Sequence, residues 1–374
     1  IWSIDRSNSE KSKETKEEEN TSDTRGHAFL RIRQIAILLP GAITEDCFRS
    51  VYLAFTRHCK SYNDTTSSSV NFMIACIIEL YKVDVQLAYQ LGFIYVRQLG
   101  LYLRTAFNKK TTESVKQLIS WQYINCLRAW ASIVSAIPLT NDKGLGELAF
   151  PLIQIMLGVL SVAPSNVNIP TKLHLIGFMQ QISANCKVFV PTTPKLVEIL
   201  ECPELSSKPV PSTDVAPKLS SLVRFSADSI CKNAVRDVIM TEIINAIRRD
   251  VEILRYHAGL PEYIFLSLRK VRNFMKKCKN TRWKDLLRAL TSHIDEVSAE
   301  AKSNRLLLGK SPMEVGASMD FESLLSVANK KNKVAALPVE FRFKKMMFGQ
   351  NSSTALPVGK PSKVSFTAAA DADA

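Results

Sequence analysis

The stretch "SWQYINCLRAW" (Ser120–Trp130) sets two tryptophans nine residues apart inside a helical pattern. At about 100° per residue that spacing points them to opposite sides of a helix, so no single neighbour covers both. Over a helix predicted at 113–137, Ile119, Cys126, Trp130, Ile133 and Ile137 fall within roughly 60° of arc. Ile124 and Leu127 lie well round from them. A helix apolar on more than one side must be held between neighbours rather than laid on a surface. The remaining stripe carries Ser135, Arg128, Trp121, Ser132 and Asn125. Trp130 is therefore expected in the core. Trp121 is expected either to pack under a loop at the helix start or to anchor a protein partner, as aromatic and Arg side chains do at interfaces.

The stretch 85–107 repeats the design. Gln86, Gln90, Arg97 and Arg104 fall within about 40° of arc, and apolar residues fill most of the rest. Such a narrow polar stripe suits an inner helix of a solenoid, the stripe facing either a water-filled seam or a binding surface. A lipid-embedded helix would not carry Gln86, Gln90, Arg97 and Gln98 at depth, so no membrane span is expected. The candidate partner-binding residues are Trp121, Asn125, Arg128, Arg97 and Arg104.

Periodicity predicts helices near 28–39, 45–60, 69–82, 85–107 and 113–137, then 145–161, 171–185 and 194–202, and finally 229–257, 262–279 and 282–304. Pro40-Gly41 is a stop signal, Ser69 and Asp84 are candidate N-caps, and Pro151 marks a start or kink. Thr193-Pro194 supplies a capping hydroxyl before a helix-initiating proline. Four prolines in 203–227 predict an extended strap. Helix follows helix with short connections and no alternating strands, so the expected fold is all-α, an α-α superhelix of degenerate HEAT/armadillo-like repeats spanning 28–305. Residues 1–27 alternate charge without apolar period and read as a disordered charged linker; 306–374 reads as a largely irregular tail. The chain starts at Ile1 and has a polar beginning, as a piece of a longer protein would.

The formal net charge is +14, which biases a protein toward polyanions. The charge concentrates late in the chain. Along 262–279, Ile264, Leu268, Val271, Phe274, Met275 and Cys278 form an apolar face. Arg269, Lys270, Arg272, Lys276, Lys277 and Lys279 cover the rest, and Arg282, Lys284 and Arg288 continue the charge. Only Asp285 opposes these nine between Arg269 and Arg288. They are the candidate RNA-binding residues, since exposed cations at this density attract phosphates by releasing counterions. Trp283 is expected to add base stacking. The bland alternative is a solvated face or a localisation signal.

No catalytic constellation emerges. The five histidines are widely separated, and the eight cysteines form no zinc or redox motif and read as buried thiols. "GLGELAF" (Gly144–Phe150) is too short for a phosphate-binding loop and lacks its lysine. No enzyme activity, cofactor, metal or small-molecule substrate is expected.

Three stretches carry a family likeness: "VNFMIACIIELYKVDVQLAYQLGFIYVRQLGLYLRTAF" (Val70–Phe107), "SWQYINCLRAW" and "FPLIQIMLGVLSVAPSNVNIPTKLHLIGFM" (Phe150–Met179). They resemble the nucleolar complex protein 2 family, whose patterns "YIRQL", "WQFIHCLRLW" and "YPLVQVILG" are recognisable in them. The similarity runs from about Ala28 to about Leu307. It departs at 1–27, after Leu308, and at Asn125 and Ala129, where the family has bulkier or ionisable groups. The family's charged N-terminal region is missing. The resemblance implies a non-enzymatic helical-repeat scaffold of the nucleus, in nucleolus and nucleoplasm. Such a scaffold serves assembly and intranuclear transport of pre-60S ribosomal particles, through heterodimers with other nucleolar complex proteins and contact with pre-rRNA. The competing expectation is a nuclear helical-repeat regulator that binds histones or chromatin as a transcriptional corepressor. A transport-receptor-like solenoid is a weaker third.

Overall fold

The computed structural model describes residues 24–137, 144–162, 166–206, 210, 216–257 and 259–308. Segments 1–23 and 309–374, read above as most of the linker and the tail, lie outside them. The described residues form helices joined by turns and short loops, with one isolated bridge between Val210 and Lys232.

Helix α1 (24–38) stops at the Pro40-Gly41 turn. Gly41 sits at φ 104°, a region that a side chain makes costly. Helix α2 (Ala42–His58) follows at once. The buried Thr44 hydroxyl donates to the carbonyls of Ala36 and Leu39 at 3.0 and 3.1 Å, giving the end of α1 the partners it lacks within the helix.

Helix α3 (Asp64–Tyr81) starts earlier than Ser69. The Asn63 amide donates to the Thr66 hydroxyl at 2.8 Å and opens the helix there. Ser69 is thus no cap; it accepts from Arg25 of α1. Asp84 caps α4 (Val85–Lys109) as expected, accepting from the Leu87 amide at 3.0 Å. The helix expected at 113–137 is two, α5 (Thr112–Leu118) and α6 (Trp121–Ala136). The Ser120 hydroxyl accepts from the Tyr123 amide at 3.3 Å, a cap that starts a new helix in preference to continuing the old one.

In α7 (Ala149–Val162) Pro151 occupies the first turn, where an absent N–H leaves no bond unmade. Helix α8 (Ile169–Cys186) and α9 (Thr193–Leu200) also carry Pro at their starts. Thr193, however, lies inside α9, and its hydroxyl donates to Asp250 rather than capping. Residues 203–206 form a short helical turn, α10 (Pro203–Ser206), instead of extended chain. The run expected at 229–257 divides into α11 (Ala227–Ile230) and α12 (Asn233–Ile253), and α13 (Leu260–Lys277) and α14 (Thr281–Leu308) complete the order.

Helix packs on helix in the sequence α2, α3, α6, α8, α12, α14, each against the next. Helices α4 and α7 lie along the α6–α8 side, and α9 and α13 along the α12–α14 side. One continuous apolar core threads this row. At 216–226 the chain crosses α8: the Val223 carbonyl accepts from the Thr171 amide at 3.2 Å and its hydroxyl at 2.7 Å, and the Phe225 amide donates to Val167 at 2.8 Å. Among the described residues no helix is long and apolar enough to cross a membrane.

Candidate protein and nucleic-acid interfaces

The tryptophan helix resolves first. Trp130 is fully buried and its indole N–H donates to the Tyr52 hydroxyl at 2.9 Å. The rings of Tyr52, Tyr81 and Tyr95 stand 5.6, 6.0 and 6.3 Å from it. Helix α4 approaches so closely that a Cβ on Gly92 would lie 2.8 Å from the Leu148 side chain and 3.0 Å from the Trp130 ring, so any larger residue would force these side chains to shift.

Trp121, at the start of α6, is half-buried against Tyr62 (centroids 5.1 Å) and His174 (5.5 Å). Arg128 lies over the other partner, its guanidinium 4.7 Å from the Tyr62 ring centroid. The His174 ring meets the Leu222 carbonyl at 2.9 Å. Burial pushes this imidazole below its usual value, with the Leu222 carbonyl opposing and Arg128 reinforcing. Trp121 and Arg128 therefore stitch the α2–α3 loop, α6, α8 and the crossing segment together within the chain. The stripe is not a surface at Asn125, which is wholly buried and donates to the Cys59 carbonyl at 3.0 Å. Asn125 is a candidate partner-binding residue by sequence, but the α2 C-terminus covers it and supplies its partner from within the chain.

Helix α4 departs furthest from expectation. Arg97 and Arg104 are exposed, and neither has an ion-pair partner among the described residues. The residues flanking them, expected inside a solenoid, are open: Phe93 52%, Ile94 50%, Leu101 49% and Phe107 58% exposed, with Phe150 of α7 at 71%. The signal was present in the seven-residue spacing of these residues, but periodicity cannot say which apolar face finds a neighbour.

The basic hairpin is only partly free. Lys270 pairs with Glu201 at 2.9 Å, Arg272 with Asp295 at 2.7 Å, Arg288 with Asp285 at 2.8 Å, and Arg282 approaches Asp237 at 4.0 Å. Three of these four acids come from beyond the stretch in which only Asp285 was counted. Arg269, Lys276, Lys277, Lys279 and Lys284 have no carboxylate partner among the described residues, and the last four gather at the α13–α14 turn. Trp283 is not available for stacking: it is buried, and its N–H donates to Asp237 at 2.6 Å. The exposed aromatic of this hairpin is Phe265, which sequence reading passed over.

An elaborate polar knot lies in the interior. Asp250 on α12 accepts from the Thr193 amide at 3.1 Å, the Thr193 hydroxyl and the Tyr263 hydroxyl at 2.7 Å, joining α9, α12 and α13. Burial raises its carboxyl above the ordinary range while these donors pull it back. The carboxylate is wholly buried and ties the three helices together. Among the described residues no three potential ligands gather to hold a metal ion.

The sequence is similar to those of known proteins. The chain is 27% identical over 310 residues to nucleolar complex-associated protein 2 of Arabidopsis thaliana, covering 83% of this chain and 40% of that protein. It is 25% identical over 269 residues to nucleolar complex protein 2 of Drosophila melanogaster, covering 72% and 35%. A NOC2 family protein of Schizosaccharomyces pombe is 26% identical over 276 residues, covering 72% and 39%. The chain thus spans about two fifths or less of the length of these curated relatives. The model of the Noc2p family matches residues 42–334, which takes in α2 to α14 and both candidate surfaces, and the chain belongs to that family.

Proposed function

We propose that this chain is the helical body of a nucleolar scaffold in ribosome biogenesis, acting in assembly and intranuclear transport of pre-60S particles. It works without catalysis, as a degenerate HEAT/armadillo-like superhelix that pairs with other nucleolar complex proteins and touches pre-rRNA, in nucleolus and nucleoplasm. Family membership supports the setting. The observation that carries the RNA contact is the set of unpaired cations at the α13–α14 turn, Lys276, Lys277, Lys279 and Lys284. Cations already held by carboxylates add little, because binding phosphate would first break an ion pair. Free ones release counterions directly.

The test is Lys276→Glu, Lys277→Glu and Lys279→Glu together in the full chain. RNA affinity should drop by about tenfold or more and the salt dependence should flatten by roughly 0.7 in slope per lost contact to single strands, with unchanged thermal unfolding. An unaltered affinity and slope removes the turn from RNA binding. Crosslinking on native particles tests the setting: adducts of ribosomal RNA at 269–288 support it, whereas histone adducts without RNA overturn it in favour of a chromatin regulator.

A further inference from the structure

The exposed side of α4 is ordered in columns. Phe93, Gly100 and Phe107 recur at intervals of seven, as do Gln90, Arg97 and Arg104, and likewise Ile94 and Leu101. At about 100° per residue these columns lie side by side, with the Gln–Arg–Arg column in the middle and an apolar column on each flank. A seven-residue repeat of this kind is how one helix receives another lying along it. A surface for water would not carry four large apolar side chains about half exposed on a single helix.

The charge says what kind of helix. Neither α4 (Val85–Lys109) nor the neighbouring α7 (Ala149–Val162) contains an Asp or Glu. Arg97 and Arg104 stand two turns apart, about 10.5 Å along the axis, exposed and without a carboxylate among the described residues. Burying them under an apolar cover would strand two charges, so the cover must bring acids of its own. A phosphate backbone would satisfy the arginines but leave Phe93, Ile94 and Leu101 in water.

We infer that this face of α4 is a docking site for an amphipathic helix of a partner protein, carrying two carboxylates seven residues apart between apolar residues. The inference rests on reading the chain as an assembly platform, and it names the chemistry of one partner surface. Trp121 and Asn125 take no part, since both are already engaged within the chain.

The test uses the full chain and a display library of single amphipathic helices randomised on one face, with the selected binders re-measured as free peptides. Selected helices should carry acids seven apart, flanked by apolar residues. Arg97→Glu with Arg104→Glu should weaken them by about tenfold or more, and peptides with Lys in place of those acids should regain binding to this reversed chain. Ile94→Ser with Leu101→Ser should abolish binding of both peptides while thermal unfolding stays unchanged. No selected binder, binders without acids, or binders indifferent to the arginine reversal would overturn the proposal. So would loss of RNA binding by the arginine-reversed chain, which would make the face a nucleic-acid contact. The lysine variant at the α13–α14 turn reads a different surface: its failure to lose RNA overturns the RNA reading, and failure of the peptides overturns the α4 face alone.

Discussion

Helices α4 and α6 are written alike, with apolar residues on several sides and a narrow polar strip, and they meet opposite fates. Helix α6 packs against α3, α7 and α8 and is touched by α4, so eleven of its sixteen residues are buried, Asn125 and Ser135 included. Helix α4 packs closely on α7 and α5 and touches α2, α3 and α6 more lightly, leaving Phe93, Ile94 and Leu101 in the open. The comparison teaches that an all-round apolar helix announces a need for neighbours but not where they come from. For α6 they are all in this chain. For α4 one side has none among the described residues.

That contrast yields an ordered set of expected effects. Trp130→Ala removes the most enclosed side chain and the partner of the Tyr52 hydroxyl, and should cost about 3–5 kcal/mol in denaturant unfolding. A cost below that of any surface substitution would break the picture of α6 as sealed. Trp121→Ala leaves Tyr62 and His174 without their shared ring and should cost about 2 kcal/mol, less than Trp130 because it is only half covered. Equal destabilisation by the two would merge them into one core. Asn125→Ala removes the donor to the Cys59 carbonyl, and leaving that carbonyl unsatisfied should cost about 1–2 kcal/mol.

Acid should act on the same cluster more weakly. Burial holds the His174 imidazole below its usual 6.5, so the folded state binds fewer protons than the unfolded state in that range. Its contribution is intact above the unfolded value and is lost as pH falls toward the folded one. Unfolding measured from neutral to mildly acid pH should show this loss, and His174→Gln should flatten it. Smallest of all, Leu101→Ser or Ile94→Ser in the isolated chain should stay within about 0.5 kcal/mol of the parent. A loss of 2 kcal/mol or more would show that α4 is covered after all.

Much of the fold was legible because its signals are local. Asp84 caps three residues ahead of the amide it binds, and Pro40-Gly41 ends a helix by its own backbone restrictions; both could be read from neighbours in sequence. Ser120 carried the same kind of signal and was passed over, because apolar periodicity runs through it and an internal serine is usually tolerated. The candidate sites were less legible. Lys270 and Lys276 look alike in sequence, yet Glu201 from α9's end neutralises the first and nothing among the described residues reaches the second. Trp283 among cations suggested stacking, but Asp237 of α12 claims its N–H and the core claims its ring. Both of these misreadings turned on a residue more than forty positions away.

The order of side chains along the chain was enough to make it helical, basic and recognisable as kin to the nucleolar complex protein 2 family, since a 3.6-residue period, a cap and a motif need only nearby residues. Coverage needed the tertiary structure. Whether an apolar face or a cation is free depends on which distant helix lies beside it, and that is settled only when all the helices compete for the same buried space.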